Sequence, residues 1–446
     1  MKDKVSTIFV SGFLTILYLL VFYLIFTGKS ATDFSPFYQS ATALSANINP
    51  YQMQLKMAAN LNPPFFLLLF KPFIYLPSQL AMILWVVLSI SLGLIAAHLA
   101  FQHIFTSVFF QKHRVKLYLL YLSFYPVLMD ISIAQFGQIL FFFIMVGYHF
   151  YLTHRDKLAG FCWGIIIALK FFPALLFFFV YKQKRMEVLK IMLLTSALSF
   201  FIPFLIYGSQ IYSHYFTMVE NILWYGDSWN ASLYGFLFRQ LINTRMKGYH
   251  NLLPVEMIFF GLFLFLLIIY YRALGPSENK TINHQPFCLS LAMMLFLSPF
   301  GWLYYFPMLI FPIILTFFKA FEGQKQRVFA PYYWVFCFFL LYFPQTYVVS
   351  RRMLTDIQRF GIFSFQFYGL LLFIFSLLSW RKIYGNKTLD LQEIMNQEQK
   401  KNCFFVLAFL IAYGLTVPLN AYLNLYSGRI VISDNPTSMS MSSIIK

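Results

Sequence analysis

Leu158–Tyr181 reads LAGFCWGIIIALKFFPALLFFFVY. By length it would fill one membrane span of roughly 20 residues. Its middle argues otherwise. A lysine at a bilayer centre costs about 2.5–3.5 kcal/mol on insertion scales, and Lys170 stands there. Pro173, three residues on, lacks a backbone donor and breaks a helix. Irregular backbone at membrane depth is tolerated only where protein or a water-filled cavity surrounds it. The stretch therefore predicts two half-helices turning near Lys170. The lysine then either snorkels to an interface or faces an anionic ligand such as a lipid phosphate, and the stretch alone leaves both open. Lys71, in FLLLFKPFIYLP, poses the same question in a shorter segment.

The rest of the chain agrees with a membrane setting. Of its 446 residues, 60% are hydrophobic, 21% aromatic and only 11% charged. An ordinary soluble domain is roughly 45–50% apolar and about 25% charged. There is too little polar surface here to coat soluble cores, which excludes a soluble multidomain protein, a disordered chain and a disulfide scaffold. The expected fold is an all-α polytopic bundle of about 11–13 transmembrane helices, half-helices included. The four cysteines, Cys162, Cys288, Cys337 and Cys403, lie in apolar stretches without CxxC spacing, and read as small buried hydrophobes.

A net charge of +18 would point a soluble protein toward nucleic acid. In a membrane protein, basic residues hold cytoplasmic loops in place. Putting 1–5, 111–116, 154–157, 182–190, 272–285, 319–327 and 381–401 inside assigns 21 of the 33 Lys and Arg to the cytoplasm. Nucleic acid is then not an expected partner. This orientation, with the N-terminus inside, requires 64–106 to cross an odd number of times. The Pro-bounded piece 64–77 becomes short or re-entrant, and 158–181 becomes a hairpin. Ordinary spans through both regions also restore parity but put two basic loops outside, so they rank second. The outer polar material is a loop at 27–62, a larger one at 208–250, turns near 130–137 and 299–306, the basic loop 346–360 and a tail. The expected organisation is a membrane bundle over 1–380, a polar cytoplasmic linker over 381–401, and a last span with its tail over 402–446.

Fifteen acidic residues make the candidate bases few. Seven fall outside or at the outer boundary: Asp33, Asp130, Glu220, Asp227, Glu256, Asp356 and Asp434. No Asp-x-Asp or Asp-x-Glu occurs, so a metal held by closely paired carboxylates is unsupported, and no metal or cofactor is expected. Asp33 opens DFSPFYQSA just after the first span; by position alone it reads as a turn or helix N-cap residue. Loop WYGDSWNASLYGFLFRQL places Asn230, Ser232 and Arg239 among aromatic rings. Such a mixture suits a sugar, and it equally suits an interfacial aromatic belt. Gln135 and Gln138, in IAQFGQILF, read as partners for backbone freed near Gly137.

DFSPFYQSATAL, NPY (Asn49, Pro50, Tyr51), NPPFFLLLFKPFIYLP, FGQILFFFIMVG, LAGFCWGIIIALKFFP, NASLYGFLFR and LSPFGWLYYFP occur in this order between residues 33 and 307. Together they resemble glycosyltransferase family 87, whose members are similar to polyprenol-phosphate-mannose-dependent mannosyltransferases. The resemblance implies a GT-C fold in a cell membrane, the bacterial inner membrane, with an extracytoplasmic active site. It implies transfer of a sugar from a polyprenyl-phosphate donor to a lipid or glycan acceptor, among membrane lipids. It puts the catalytic base at Asp33. The family's Gly-Gln pair maps to Gly137 and Gln138, its Lys-x-x-Pro to Lys170 and Pro173, its Asn-x-Ser and Arg to Asn230, Ser232 and Arg239, and its Ser-Pro-x-x-Trp to Ser298, Pro299 and Trp302. Asn47 and Asn62 stand where Gly and Tyr are frequent, and Tyr304 and Tyr305 where many members carry His.

On this reading Lys170, with Arg239, Arg351 and Arg352, stabilises the departing phosphate, while Tyr51, Gln138, Asn230, Ser232, Trp302, Tyr304 and Tyr305 contact substrate. Single displacement inverts the anomeric centre. A lipid or oligosaccharide transporter (flippase) is the alternative. It predicts internal repeats and polar residues along a whole transmembrane path; the sequence has no evident repeat, and its polar residues cluster at one face.

Overall fold

The computed structural model describes residues 2–26, 33–51, 60–222, 224–242, 251–275, 283–321, 329–344 and 356–380. The expected linker 381–401, the last span with its tail, and Arg351 and Arg352 lie outside them. Among the described residues the fold is all-α with no β-strand; one isolated bridge joins Asn230 to Trp302.

Helix α1 (Lys2–Phe26) is followed by α2 (Phe34–Ser45), which buries Phe34, Phe37, Ala41 and Leu44. Helix α3 (Pro64–Phe70) opens on a proline, whose missing donor costs nothing in a first turn, and ends in a 3-10 turn over Lys71–Tyr75. Neither α2 nor α3 crosses the bundle. Tyr38 donates to the Leu76 carbonyl at 2.9 Å, and Phe37, Phe66, Phe70 and Trp85 pack ring to ring at 5.0–6.2 Å. The short 64–77 piece thus stays at one end, and Lys71 is half-buried there.

Helix α4 (Ser78–Ile104) runs from that end, at Trp85, to the other, where His103 meets His149. The chain returns through α5 (Ser107–Leu122) and α6 (Tyr125–Ser132), which meet at 59°. The sequence reading put 111–116 in a cytoplasmic segment. The helix already includes 111–116, as exposed turns, and it breaks before Pro126, which lacks a donor to continue the ladder.

Helix α7 (Gly137–Leu152) packs antiparallel to α8 (Asp156–Leu169): Trp163 donates to the Ile144 carbonyl, and a Cβ on Gly147 would lie 2.4 Å from its Nε1. After α8 the chain breaks at Lys170, which is extended, makes a 3-10 turn over Phe172–Leu175, and returns as α9 (Leu176–Lys182). Arg185 then pairs with Asp156 at the start of α8 and lies 4.5 Å from the Tyr151 ring. The two ends of the segment therefore meet, so 158–181 is a hairpin with Lys170 at its tip. The 14 residues of α8 rise about 21 Å, short of the roughly 30 Å hydrocarbon core. Helix α10 (Met186–Tyr207) runs beside α8 in parallel; a Cβ on Gly160 would meet the Val188 carbonyl at 2.6 Å, and one on Gly164 the Met192 carbonyl at 2.9 Å. Small residues four apart let two backbones approach in a membrane bundle.

The chain continues through α11 (Gln210–Glu220), α12 (Leu233–Leu241), α13 (Leu253–Ala273), α14 (Gln285–Leu297), α15 (Ile310–Phe321), α16 (Phe329–Leu341), α17 (Asp356–Phe360) and α18 (Phe365–Ser379). Tyr270 ties α13 to the Leu175 carbonyl and Ser290; Gln285 and Gln366 donate to the carbonyls of Leu377 and Phe343. Among the described residues, four helices are long and apolar enough to cross a membrane, or five with the bent α5–α6 pair. One end of the bundle carries Asp33, residues 60–77, the 133–136 turn and the loops 208–232 and 298–303. The opposite end carries the tight α7–α8 and α9–α10 turns, where His154 and Lys184 take left-handed backbone, and the cations Arg155, Lys157, Lys182 and Arg185.

Candidate active site

The site is built around a turn. Helix α6 ends with Gln135 N donating to the Asp130 carbonyl and Ala134 N to that of Ile131, a closure that needs left-handed backbone. Ala134 supplies it at φ 52, and Trp85 Nε1 holds the Ala134 carbonyl at 2.9 Å. The fully buried Asp130 carboxylate accepts from the backbone N–H of Gly137 at 2.8 Å and Gln138 at 3.2 Å. It thus caps α7, whose N-terminus attracts negative charge. A Cβ on Gly137 would lie 1.9 Å from the Tyr304 carbonyl, so this position admits only glycine without movement.

The turn fixes Asp33 twice. Asp33 N donates to the Ile133 carbonyl at 2.8 Å, and Gln135 Nε2 donates to Asp33 Oδ2. Asp33 stands at the N-cap of α2 but makes no side-chain cap bond. Its carboxylate is turned to Gln135 and toward Lys170. Burial holds this carboxyl above the usual carboxylate range, while the Gln135 hydrogen bond and the Lys170 charge pull it back.

Lys170 is 7% exposed. Its Nζ donates to the Leu61 carbonyl at 3.2 Å and lies 5.6 and 5.9 Å from the centroids of Phe136 and Tyr305. Asp33 and Lys170 attract one another without a direct ion pair. Tyr51 reaches the same neighbourhood: its hydroxyl donates to the Asn62 carbonyl, and its ring packs against Tyr215, whose hydroxyl approaches the Leu61 carbonyl. Tyr304 and Tyr305 are adjacent at 4.7 Å, and Trp302 stacks on Tyr304 at 6.0 Å.

Other expected residues serve this end from farther away. Asn230 Nδ2 donates to the carbonyls of Tyr225 and Pro299, and Ser232 Oγ accepts from Gly235 N as the N-cap of α12. Their polar atoms join the 224–232 loop to the 299–303 turn. Arg239 Nη1 donates to the carbonyls of Gly226 and Asp227, with Nε and Nη2 buried and unpaired; no hydrogen bond or ion pair joins it to Asp33 or Lys170. Gln138 faces away from Asp33, its carbonyl accepting from Tyr121 in space that Gly93 leaves open.

The structure thus brings together Asp33, Lys170, Tyr51, Tyr305 and, through Tyr305, Tyr304 and Trp302. The sequence reading gave Asp130 no role; its trace was an acid closing an apolar run, seven residues before Gly137. The arrangement sets a carboxylate able to take a proton opposite a buried cation able to hold an anion. The family model described as glycosyltransferase family 87 matches residues 60–299, which include Gln135, Lys170, Asn230 and Arg239 but begin after Asp33. No characterised protein and no solved structure matches the chain. The match covers more than half of an all-α membrane bundle, and the chain belongs to glycosyltransferase family 87.

Proposed function

We propose that this membrane glycosyltransferase moves a hexose, mannose in the first instance, from a polyprenyl-phosphate donor to a lipid or glycan hydroxyl, with inversion and without a metal. The observation that carries the reading is the facing of Asp33 and Lys170 without a direct ion pair. Neither charge is neutralised by a direct ion pair with the other, so each can act on a substrate. Asp33 takes the acceptor proton, the acceptor oxygen attacks the anomeric carbon, and the phosphate departs toward Lys170. A preorganised cation in a low-dielectric site stabilises such developing charge strongly. Arg351 and Arg352 supply further positive charge to the phosphate. Tyr51, Trp302, Tyr304 and Tyr305 offer rings and hydroxyls to the sugar, with Gln138, Asn230, Ser232 and Arg239 holding the surrounding loops.

An apolar groove of about 440 Å³ supports a prenyl donor: Phe171, next to Lys170, forms one wall, with Phe200, Phe204 and Phe216 beyond it. The cations gathered at the opposite end support an N-terminus inside the cell and a site on the extracytoplasmic face of the membrane. Purified protein in lipid nanodiscs, given polyprenyl-phosphate mannose, polyprenyl-phosphate glucose and the nucleotide sugars in parallel, is expected to transfer only from the lipid-linked donors. Transfer from a nucleotide sugar alone would remove the phosphate role of Lys170 as stated.

A further inference from the structure

Gln135 is 6% exposed, and its hydrogen bonding is half complete. Nε2 donates to Asp33 Oδ2, while Oε1 is buried and accepts from no group. The amide cannot be turned round, because a carbonyl would then oppose an ionised carboxylate, acceptor against acceptor. The backbone that carries it is fixed: Gln135 N is held by the Asp130 carbonyl at 2.9 Å, and the neighbouring Ala134 carbonyl by Trp85. Buried acceptors are nearly always paired in native proteins. One donor is missing beside the proposed base, and a sugar hydroxyl has the right chemistry to supply it.

We infer that Gln135 is a substrate-binding and positioning residue: its N–H fixes one carboxylate oxygen of Asp33, and its carbonyl accepts a sugar hydroxyl adjacent to the reacting centre. The inference rests on the transferase reading above and narrows the substrate to one with a second hydroxyl beside the reacting atom. That hydroxyl belongs either to the acceptor, next to the attacking oxygen, or to the donor sugar, next to the anomeric carbon. In the step itself the acceptor oxygen bonds to the anomeric carbon. The carbon–oxygen bond to phosphate breaks with its electron pair on phosphate, and the acceptor proton passes to Asp33 Oδ1. Gln135 neither gains nor loses a proton. The charged and titratable groups facing Asp33 are Lys170 at the hairpin tip and Tyr305 of the 303–309 turn, with Asp130 behind.

The test uses the full-length protein, with polyprenyl-phosphate mannose and its 2-deoxy counterpart as donors and methyl α-mannoside and its monodeoxy forms as acceptors. Wild type is expected to lose about tenfold or more in kcat/KM with one deoxy compound, as sites built to bind a hydroxyl do. Gln135→Met should be slower with the complete substrates and nearly indifferent to that deletion. Whether the sensitive compound is a donor or an acceptor assigns the hydroxyl. Gln135→Glu keeps an acceptor oxygen and sets a second carboxylate against Asp33, so it should retain the deoxy penalty and move the acid limb of kcat/KM to higher pH. Equal deoxy penalties in wild type and a folded Gln135→Met overturn the inference. Should that variant not fold, an unmoved acid limb in Gln135→Glu overturns it. A wild type inactive with every donor overturns the function, and the inference with it.

Discussion

A carboxylate that caps a helix and one that serves as a base can occupy the same position in sequence; what separates them is where the side chain points. Asp33 leaves the α2 N-terminus uncapped and binds Gln135 instead. Asp33→Asn is therefore expected to lower kcat by about 10²–10⁴-fold, the range of general-base catalysis, with KM little changed. It should also melt higher than wild type at neutral pH. The folded carboxyl is raised by burial, so its ionised form costs stability above that raised pKa; the cost fades as pH falls through it and is gone below the unfolded value near 4. Thermal melts of both proteins from pH 8 to pH 4 should thus converge, and a gap that widens toward acid would contradict the buried carboxylate. At Asp130, also raised by burial, the same substitution should act the other way on stability because this carboxylate caps a helix. Asn there sets an amide against one of two backbone donors, and is expected to cost about 1–3 kcal/mol of stability. Denaturant unfolding in detergent measures it. Lys170 was legible because a charge among apolar residues needs a reason, and Asp33 only through the order of motifs that carries the family resemblance, since by itself it read as a turn or cap residue. Asp130, equally isolated, was not, because its partners are backbone groups that exist only once the turn has formed.

Among the elements, the α8–α9 hairpin was legible from a lysine and a proline, since together they make a straight buried span costly. The α5–α6 bend was not, because Pro126 sits in an unbroken apolar run whose hydropathy ignores the missing donor. The small-residue seam between α8 and α10 also went unread: Gly160 and Gly164 look like ordinary spacing until α10 lies against them. That seam positions the tip, because α8 delivers Lys170 and Phe171 stacks on Phe200 of α10 at 5.3 Å. Gly164→Leu is expected to push the helices apart, costing about 1–3 kcal/mol as overpacking does, and to raise KM for the donor by shifting Lys170. Gly261→Leu, on α13 with open space around it, is the control and should melt like wild type or slightly higher. Equal effects of the two substitutions would mean that the seam does not set the tip.

For the whole molecule, charge and chemistry lie at opposite ends. Among the described residues, Asp33, Lys170 and the aromatic block share one end with few exposed cations, and Arg155, Lys157, Lys182, Lys184 and Arg185 crowd the other. Basic segments resist translocation, so the crowded end should remain in the cytoplasm and the site should open outward. An outward-opening site, as proposed, would meet its acceptor outside, where nucleotide sugars are scarce and lipid-linked donors, once flipped, are at hand. Labelling can decide it, since Cys162, Cys288 and Cys337 are buried and background reaction should be low once Cys403 is replaced by serine. Ser209 is exposed between α10 and α11 at the site end, and Thr153 is exposed after α7 at the other. A membrane-impermeant maleimide should modify Ser209→Cys in intact cells, and Thr153→Cys only after permeabilisation. The reverse pattern would turn the molecule over, place Asp33 in the cytoplasm, and give nucleotide sugars the better claim as donors.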